Sequence, residues 1–240
     1  MQGIWAMLGL FVGAAAAVGL SFVVEAFVRD GPFWPRRCPH CHADPGPAAY
    51  IPLLRHSRAG ACRACRRTVG TPDLWLDVLA ILGTALVCAL RPGPALPLDL
   101  LVLWLGLAVA TIDLRRRVIP NRLLLVAAVL GLVALLPFGR SAYVAGLAGA
   151  VLLLAIGLLI AWVGRGGFGL GDVKYLGALG LLLGWQRGIA TLFLAVLLGG
   201  LYAAWLLLTR RATGRDAFAF GPFIALGSVA VVVLGAGLAR

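Results

Sequence analysis

Long apolar runs separated by short polar segments fill most of the chain. Eight runs lie near residues 4–28, 73–90, 95–113, 118–138, 141–163, 171–185, 187–208 and 217–238. A helix needs about 20 apolar residues to cross the hydrocarbon core of a bilayer. The pattern therefore predicts about eight transmembrane helices, with seven or nine as the nearest alternatives. The sixth run is short and contains Gly177, Gly180 and Gly184, so we expect it to be tilted, partly re-entrant or closely packed against a neighbour.

The amino-acid composition excludes a water-soluble domain. Hydrophobic residues make up 62% of the 240 residues and charged residues 12%, and the mean hydropathy is +1.00. A soluble domain of this length needs a polar surface that so few charged side chains do not provide. We therefore predict an all-α membrane protein that passes through the lipid bilayer several times.

The basic residues predict which side of the membrane each loop occupies. No basic residue precedes Arg29, whereas a secretory signal peptide begins with positive charge, so we interpret the first run as a retained anchor with its N-terminus outside. In that orientation all but four of the 21 Lys and Arg residues lie on the cytoplasmic side, in agreement with the positive-inside rule. Because these residues are spread over several loops rather than gathered on one face, we expect no nucleic-acid partner.

The longest predicted cytoplasmic loop, residues 29–72, has the cysteine spacing of a zinc site. It contains two Cys-x-x-Cys pairs separated by 20 residues, the spacing of a four-cysteine zinc ribbon. We predict that zinc is bound by Cys38, Cys41, Cys62 and Cys65. Four thiolates leave no open position for a substrate water, so this zinc is expected to be structural and to supply the folding energy of a small domain.

The same loop residues allow arrangements other than a four-cysteine zinc site. The four cysteines could form two disulfides, but cytoplasmic thiols stay reduced. All three histidines, His40, His42 and His56, lie in the same loop, and one of them could replace a cysteine as a ligand; solvated loop positions are the favoured interpretation. Cys88 lies alone in the second run and is interpreted as a small buried apolar residue.

Two aspartates lie at the edges of apolar runs. Asp113 ends the third run and Asp172 begins the sixth, and the predicted topology places both on the cytoplasmic side. An ionisable residue at a bilayer boundary costs free energy, so each is a functional candidate. A pair of carboxyl groups could share a proton and activate water.

Taken singly, each aspartate also has a structural explanation. Asp172 could be a helix N-cap, and Asp113 could form ion pairs with the arginines at 115–117. The flanking residues favour a functional role: Gly169 and Gly171 would let the backbone approach a partner closely, and Pro120 would start the fourth helix and fix the loop before it.

The combination of these stretches resembles the prepilin peptidases, or type IV leader peptidases, which are membrane aspartyl proteases with a Gly-x-Gly-Asp motif. The resemblance covers essentially the whole chain, and its most specific part is Gly-Leu-Gly-Asp-Val-Lys at 169–174. The other parts are Ile-Asp at 112–113 with Ile-Pro-Asn at 119–121, Phe-Gly-Pro-Phe at 220–223, and the two Cys-x-x-Cys pairs with Ile-Pro at 51–52.

The resemblance implies an enzyme of the bacterial cytoplasmic (inner) membrane. Such enzymes remove the basic leader from prepilins or pseudopilins of type IV pili and type II secretion. They cut at the cytoplasmic face, after a glycine and before the apolar helix of the substrate. It implies that Asp113 and Asp172 are catalytic, one as general base on water and the other protonated, and that Gly169, Gly171, Lys174 and Pro120 support the motif. The implied domains are a first helix (1–28), a zinc domain (29–72) and a peptidase domain (73–240).

The resemblance also raises a second activity. Many bacterial members methylate the new N-terminus with S-adenosylmethionine, a role linked to the cytoplasmic domain. This chain departs from the pattern near Val24, where the family usually has an asparagine. After Pro72 it lacks an expected glutamate, for which Asp77 is a possible substitute.

Two other classes of protein compete with the peptidase interpretation. A proton- or cation-coupled transporter with a zinc-binding regulatory loop would be expected to carry charges near the span midpoints and an inverted repeat, and the sequence has neither. A purely structural assembly subunit would leave the paired motifs without a role. Signal-peptide-peptidase or presenilin types share the Gly-x-Gly-Asp motif, but the zinc loop and the cytoplasmic aspartates favour leader removal.

Overall fold

The computed structural model describes residues 2–29, 37–38, 40–46, 49, 51, 53–57, 60–67, 74–163, 168–211 and 218–235. The chain divides into two compact units, Met1–Pro92 and Gly93–Arg240. The described residues form α-helices and two 3-10 helices, Leu54–His56 and Leu136–Phe138. The α-helices are α1 (Gln2–Arg29), α2 (Leu74–Leu90), α3 (Leu96–Arg116), α4 (Asn121–Leu135), α5 (Gly139–Val163), α6 (Leu170–Leu208) and α7 (Gly221–Leu234).

In the first unit, α1 and α2 pack against each other through small residues. A Cβ atom at Gly9 would lie 2.6 Å from Ala85 Cα, and one at Gly13 would lie 2.8 Å from Ile81 Cα. Glycines at such positions let two helix backbones come together, which is the usual way that apolar helices associate in lipid. The cysteine loop therefore connects two helices that are themselves in close contact.

In the second unit, α3 is surrounded by protein. Every residue from 105 to 113 is buried, and the helix packs against α4, α6 and α7. A helix that is apolar all round is expected in such a position. The end of α3 that carries Asp113 is consequently fixed by its neighbours.

The long helix α6 is broken at Gly184, whose φ of 76° and ψ of 172° are not helical. The two arms, residues 170–183 and 185–208, correspond to the sixth and seventh predicted runs. A Cβ atom at Gly180 in the first arm would collide with the carbonyl oxygen of Gly149 in α5. Close packing against a neighbour, one of the three expectations for the sixth run, is therefore what the structure shows.

The predicted number of membrane crossings is only partly matched. Within the ranges that the structure describes, four helical stretches are long and apolar enough to cross a membrane: Gln2–Val28, Leu96–Arg116, Asn121–Val163 and Leu170–Leu208. The apolar helices α2 and α7 are shorter, with 17 and 14 residues. Large apolar side chains such as Phe11, Trp162 and Leu208 are 72%, 80% and 84% exposed, as expected where lipid covers a surface. The count of eight stays a prediction.

The contact between Gly149 and Gly180 generates a stability prediction. Gly180→Leu should destabilise the second unit by about 1–3 kcal/mol or more, because the obstructing atoms belong to the backbone of α5 and cannot rotate away. Gly200→Leu is the matched control on the same helix, since a Cβ atom there meets nothing within 4 Å. Thermal unfolding of the purified proteins in detergent should show a lower midpoint for Gly180→Leu only; equal midpoints for both variants would contradict the packing.

Candidate active site and metal centre

The structure brings Asp113 and Asp172 to one cavity. Asp113 lies in the last turn of α3 and is 6% exposed, while Asp172 lies in the first turn of α6 and is partly buried. The two carboxyl groups are close enough to interact electrostatically. The cavity has a volume of about 350 Å³, and its other lining residues are Arg117, Val118, Ile119, Asn121, Gly169, Leu170, Gly171 and Lys174.

The carboxyl group of Asp113 is held by the beginning of α7. The backbone N–H of Gly221, the first residue of α7, donates a hydrogen bond of 2.9 Å to Asp113 Oδ2. The first N–H groups of a helix have no partner within the helix, so the carboxyl group satisfies one of them. A Cβ atom at Gly221 would lie 2.8 Å from the same oxygen, which explains why glycine occupies this position. No role for Gly221 was predicted from the sequence; a glycine before a proline at a helix start was the available signal.

The connection between α3 and α4 packs against the beginning of α6. Arg117 has a left-handed backbone conformation, with φ of 54°, and its N–H donates a 2.8 Å hydrogen bond to the carbonyl oxygen of Asp113. Ile119 is buried, and a Cβ atom at Gly171 would lie 3.2 Å from Ile119 Cβ. Pro120 is extended and precedes α4 directly. Glycine at 171 thus allows the contact that brings the start of α6 to the end of α3.

The remaining polar residues of the motif lie at the edge of the cavity. Lys174 Nζ donates a hydrogen bond of 3.1 Å to Asn121 Oδ1, which links the first turns of α6 and α4. Gly169 lies beside Asp172, since a Cβ atom there would be 3.0 Å from Asp172 Oδ2. Asn121 was expected only as part of a motif, and its contact with Lys174 was not predicted.

Two phenylalanines join the backbone segments that support the aspartates. Phe168 precedes Gly169, Phe220 precedes Gly221, and the two rings make an edge-to-face contact with centroids 5.4 Å apart. Phe220 also packs with its neighbours Phe218 and Phe223. Aromatic pairs in this geometry add stability beyond the area they bury. This pair was not predicted from the sequence, although the dipeptide Phe-Gly occurs at both places.

The four predicted metal ligands converge in the first unit. The sulfur atoms of Cys38, Cys41, Cys62 and Cys65 all lie within 4.8 Å of one another. The sulfur atoms of Cys38 and Cys65 are 3.5 Å apart, and those of Cys41 and Cys62 are 3.6 Å apart. Tetrahedral zinc with bonds of about 2.3 Å needs sulfur atoms about 3.8 Å apart, whereas a disulfide needs about 2.05 Å. The arrangement fits a metal ion, and the cysteines are not bonded to each other.

The two cysteine pairs adopt the same local structure. The N–H groups of His42 and Arg66 donate to the carbonyl oxygens of Cys38 and Cys62, at 2.9 and 2.8 Å. Both donors directly follow the second cysteine of their pair and both have left-handed backbones, with φ of 58° and 56°. This shared turn aims the two sulfur atoms of each pair to one side, although the sequences of the two turns differ.

The thiols of the cluster do not behave as independent groups. Burial opposes ionisation of Cys38, but the N–H groups of His40 and Cys41 and the neighbouring thiols lower its pKa to about 7. For Cys41, the Ala43 N–H acts in the lowering direction, but partial desolvation and the neighbouring thiols outweigh it and raise its pKa to about 12. A divalent cation would displace the shared protons and convert all four groups to thiolates.

The histidines have other contacts in the part of the loop that the structure describes. His56 Nε2 lies 3.2 Å from Asp77 Oδ2, and the Leu53 N–H donates to the same oxygen, also at 3.2 Å. His40 Nδ1 lies 3.4 Å from a guanidinium nitrogen of Arg67. Asp77 is fully buried in the first turn of α2. It therefore fastens the 3-10 segment of the loop to that helix.

The geometry predicts one metal ion per chain. Cys38→Ser and Cys62→Ser should each lower the zinc content of the purified protein from about one ion to well below half, because three thiolates do not complete the tetrahedral shell. Cys88→Ser, which removes a thiol from α2 outside the cluster, should keep its zinc. Elemental analysis of detergent-purified protein measures the outcome, and an unchanged zinc content in Cys62→Ser would contradict the site.

Known proteins resemble this chain in sequence over most of its length. A sequence model described as the type IV leader peptidase family matches residues 100–204. A protein of Bacillus subtilis named prepilin leader peptidase/N-methyltransferase is 33% identical over 204 residues, which cover 82% of this chain and 81% of the relative. Proteins with the same name from Aeromonas hydrophila and Pectobacterium carotovorum are each 31% identical, covering 85% and 86% of this chain and 72% and 77% of the relatives. No solved structure matches the chain significantly. The chain belongs to the type IV leader peptidase family.

Proposed function

We propose that this protein is a membrane aspartic endopeptidase that removes the basic leader from type IV prepilins or pseudopilins. The observation that carries the proposal is the meeting of Asp113 and Asp172 in one cavity, at the end of α3 and the start of α6. Relatives at 31–33% identity are named prepilin leader peptidase/N-methyltransferase. Family membership and a two-carboxylate cavity support the same activity.

In the proposed mechanism the two aspartates act as one unit. One carboxylate takes a proton from water, and the water oxygen attacks the scissile carbonyl carbon. The other aspartate is protonated and donates a hydrogen bond to the carbonyl oxygen. The proton taken from water passes to the leaving nitrogen when the peptide bond breaks. Two carboxyl groups that interact electrostatically titrate as a pair, so activity belongs to the singly protonated state.

The surroundings of the cavity suit these roles. The Gly221 N–H fixes the orientation of Asp113, and the contact between Gly171 and Ile119 fixes the start of α6. Fixed carboxyl groups lose little free energy to reorganisation during the reaction. Gly169, Lys174 and Pro120 support this arrangement from the rim and the adjoining connection.

The proposal includes location and topology. We assign the protein to the bacterial inner membrane with about eight crossings and with the aspartates on the cytoplasmic side. The excess of basic residues in the loops on that side supports the orientation. The loop at 29–72 is proposed to be a structural zinc domain, because the geometry of its four cysteines fits a closed tetrahedral site.

We propose methylation of the new N-terminus as a second activity, because the relatives carry N-methyltransferase in their names. S-adenosylmethionine would be the methyl donor. The structure gives Asp77 a contact with the loop backbone and with His56, which is a structural role.

Replacement of either aspartate should abolish cleavage. Asp113→Asn and Asp172→Asn keep the size of the side chain but remove the acid–base function, so leader removal in lipid should slow by about 10³-fold or more. Asp44→Asn is the control, since Asp44 is exposed and its hydrogen bond to the Gly46 N–H can be made by asparagine. Cleavage of a purified prepilin is followed by gel shift and mass spectrometry. Near-wild-type cleavage by either active-site variant would refute the mechanism.

Methyl transfer is tested on the cleaved product. Wild-type protein incubated with prepilin and methyl-labelled S-adenosylmethionine should place one label on the new N-terminal amine. Asp172→Asn should give no label, because the amine is not released. Complete cleavage without any label in the wild type would exclude the methyltransferase activity and leave the peptidase proposal intact.

A further inference from the structure

A second space adjoins the catalytic cavity. Asn121 and Lys174, which are hydrogen-bonded to each other, line both spaces. The second space, here called the lateral groove, has a volume of about 540 Å³. It lies between α4, α5 and α6 and is lined by Asn121, Arg122, Leu124, Leu125, Ala128, Ala150, Leu154, Lys174, Gly177, Ala178 and Leu181.

The lateral groove is polar at one end and apolar along its length. Its polar residues, Asn121, Arg122 and Lys174, lie in the first turns of α4 and α6, next to the cavity. From Lys174 to Leu181 the lining residues of α6 extend for about 10 Å, or two turns of a helix. The groove is open on one side, where Leu125 is 65% exposed.

Each of the three helices contributes a small residue to the groove. Ala128, Ala150 and Ala178 line it from α4, α5 and α6, whereas Gly177 is covered by the side chain of Leu154. Helices in lipid associate through close contact of their backbones, since lipid provides no hydrophobic force to drive them together, and small residues permit that contact. Alanines on all three helices therefore fit the backbone of another helix better than they fit a flexible acyl chain.

We propose that the lateral groove binds the first two turns of the substrate's apolar helix, directly after the scissile bond. This inference rests on the proposed function, in which the leader precedes the cleaved bond and an apolar helix follows it. A chain that leaves the cavity past Asn121 and Lys174 enters the groove. The open side lets a substrate that is already in the bilayer enter laterally.

The charge at the entrance of the lateral groove determines which part of the substrate enters it. Arg122 lines the groove but not the catalytic cavity, and its positive charge opposes the entry of a basic leader into the groove. The leader is therefore kept on the side of the cavity away from the groove, and the apolar segment is the part that fits. This places the junction between leader and helix at the two aspartates.

The test compares two substrates and matched variants in lipid vesicles. One substrate is a complete prepilin; the other carries the same leader and cleavage site but ends before the apolar helix. Ala128→Phe and Ala150→Phe fill the groove. Val129→Phe and Val151→Phe, at the adjacent exposed positions of α4 and α5, add the same ring outside it. None of these residues lines the catalytic cavity.

The groove variants should raise KM for the complete prepilin by about tenfold, equivalent to about 1.4 kcal/mol of binding, with kcat little changed. Both control variants and cleavage of the truncated substrate should stay at wild-type values. Unchanged KM in both groove variants would overturn the proposal. Equal loss on both substrates would also overturn it, since it would indicate damage to the cavity.

A second measurement does not depend on turnover. A photoreactive residue at position 128 in the Asp172→Asn protein should crosslink to the first two turns of the prepilin helix, whereas one at 129 should not. Crosslinks from position 128 to lipid alone would refute the groove as a substrate site. Failure of the wild type to cleave several prepilins would instead refute the proposed peptidase function, so the two failures are distinguishable.

Discussion

The hydrogen bond from the Gly221 N–H to Asp113 is the interaction on which the arrangement of the second unit depends. A carboxyl group buried at the end of an apolar helix is costly unless a polar group meets it. In this protein the polar group is the N–H of Gly221, which lies at the beginning of α7 and donates to the carboxyl group. The requirement fixes the start of α7 beside the end of α3. The Phe168–Phe220 contact then ties the start of α6 to the same place.

This arrangement requires the backbones of neighbouring helices to approach one another closely. Apolar helices in lipid gain little from burying more apolar surface, so the fit of their surfaces decides which helices associate. The pair Gly149 and Gly180 sets the position of α6 against α5, and Gly171 sets its start against Ile119. The glycines that shape the helix packing therefore also determine where Asp172 lies.

The first unit follows a different physical rule. Its loop has few large apolar side chains, and the convergence of four thiols gives it a centre that a metal ion can stabilise. The same left-handed turn follows Cys41 and Cys65, although histidine is more strongly enriched in this conformation than arginine. The geometry of the cysteine pair, more than the preference of the residue after it, therefore determines the local backbone. Asp77 adds a second attachment of the loop to α2.

The helical class, the order of the apolar segments, the cysteine set and the two aspartates could all be predicted from the sequence. These features follow from local quantities: the length of apolar runs, the spacing of thiols, and the cost of charge near lipid. The interruption of α6 at Gly184 agrees with the separation of the sixth and seventh apolar runs. The hydrogen bond from Gly221 to Asp113 and the Asn121–Lys174 contact between cavity and groove became known only from the folded chain. Both depend on contacts between residues that are distant in sequence. Composition and periodicity carry no information about such contacts.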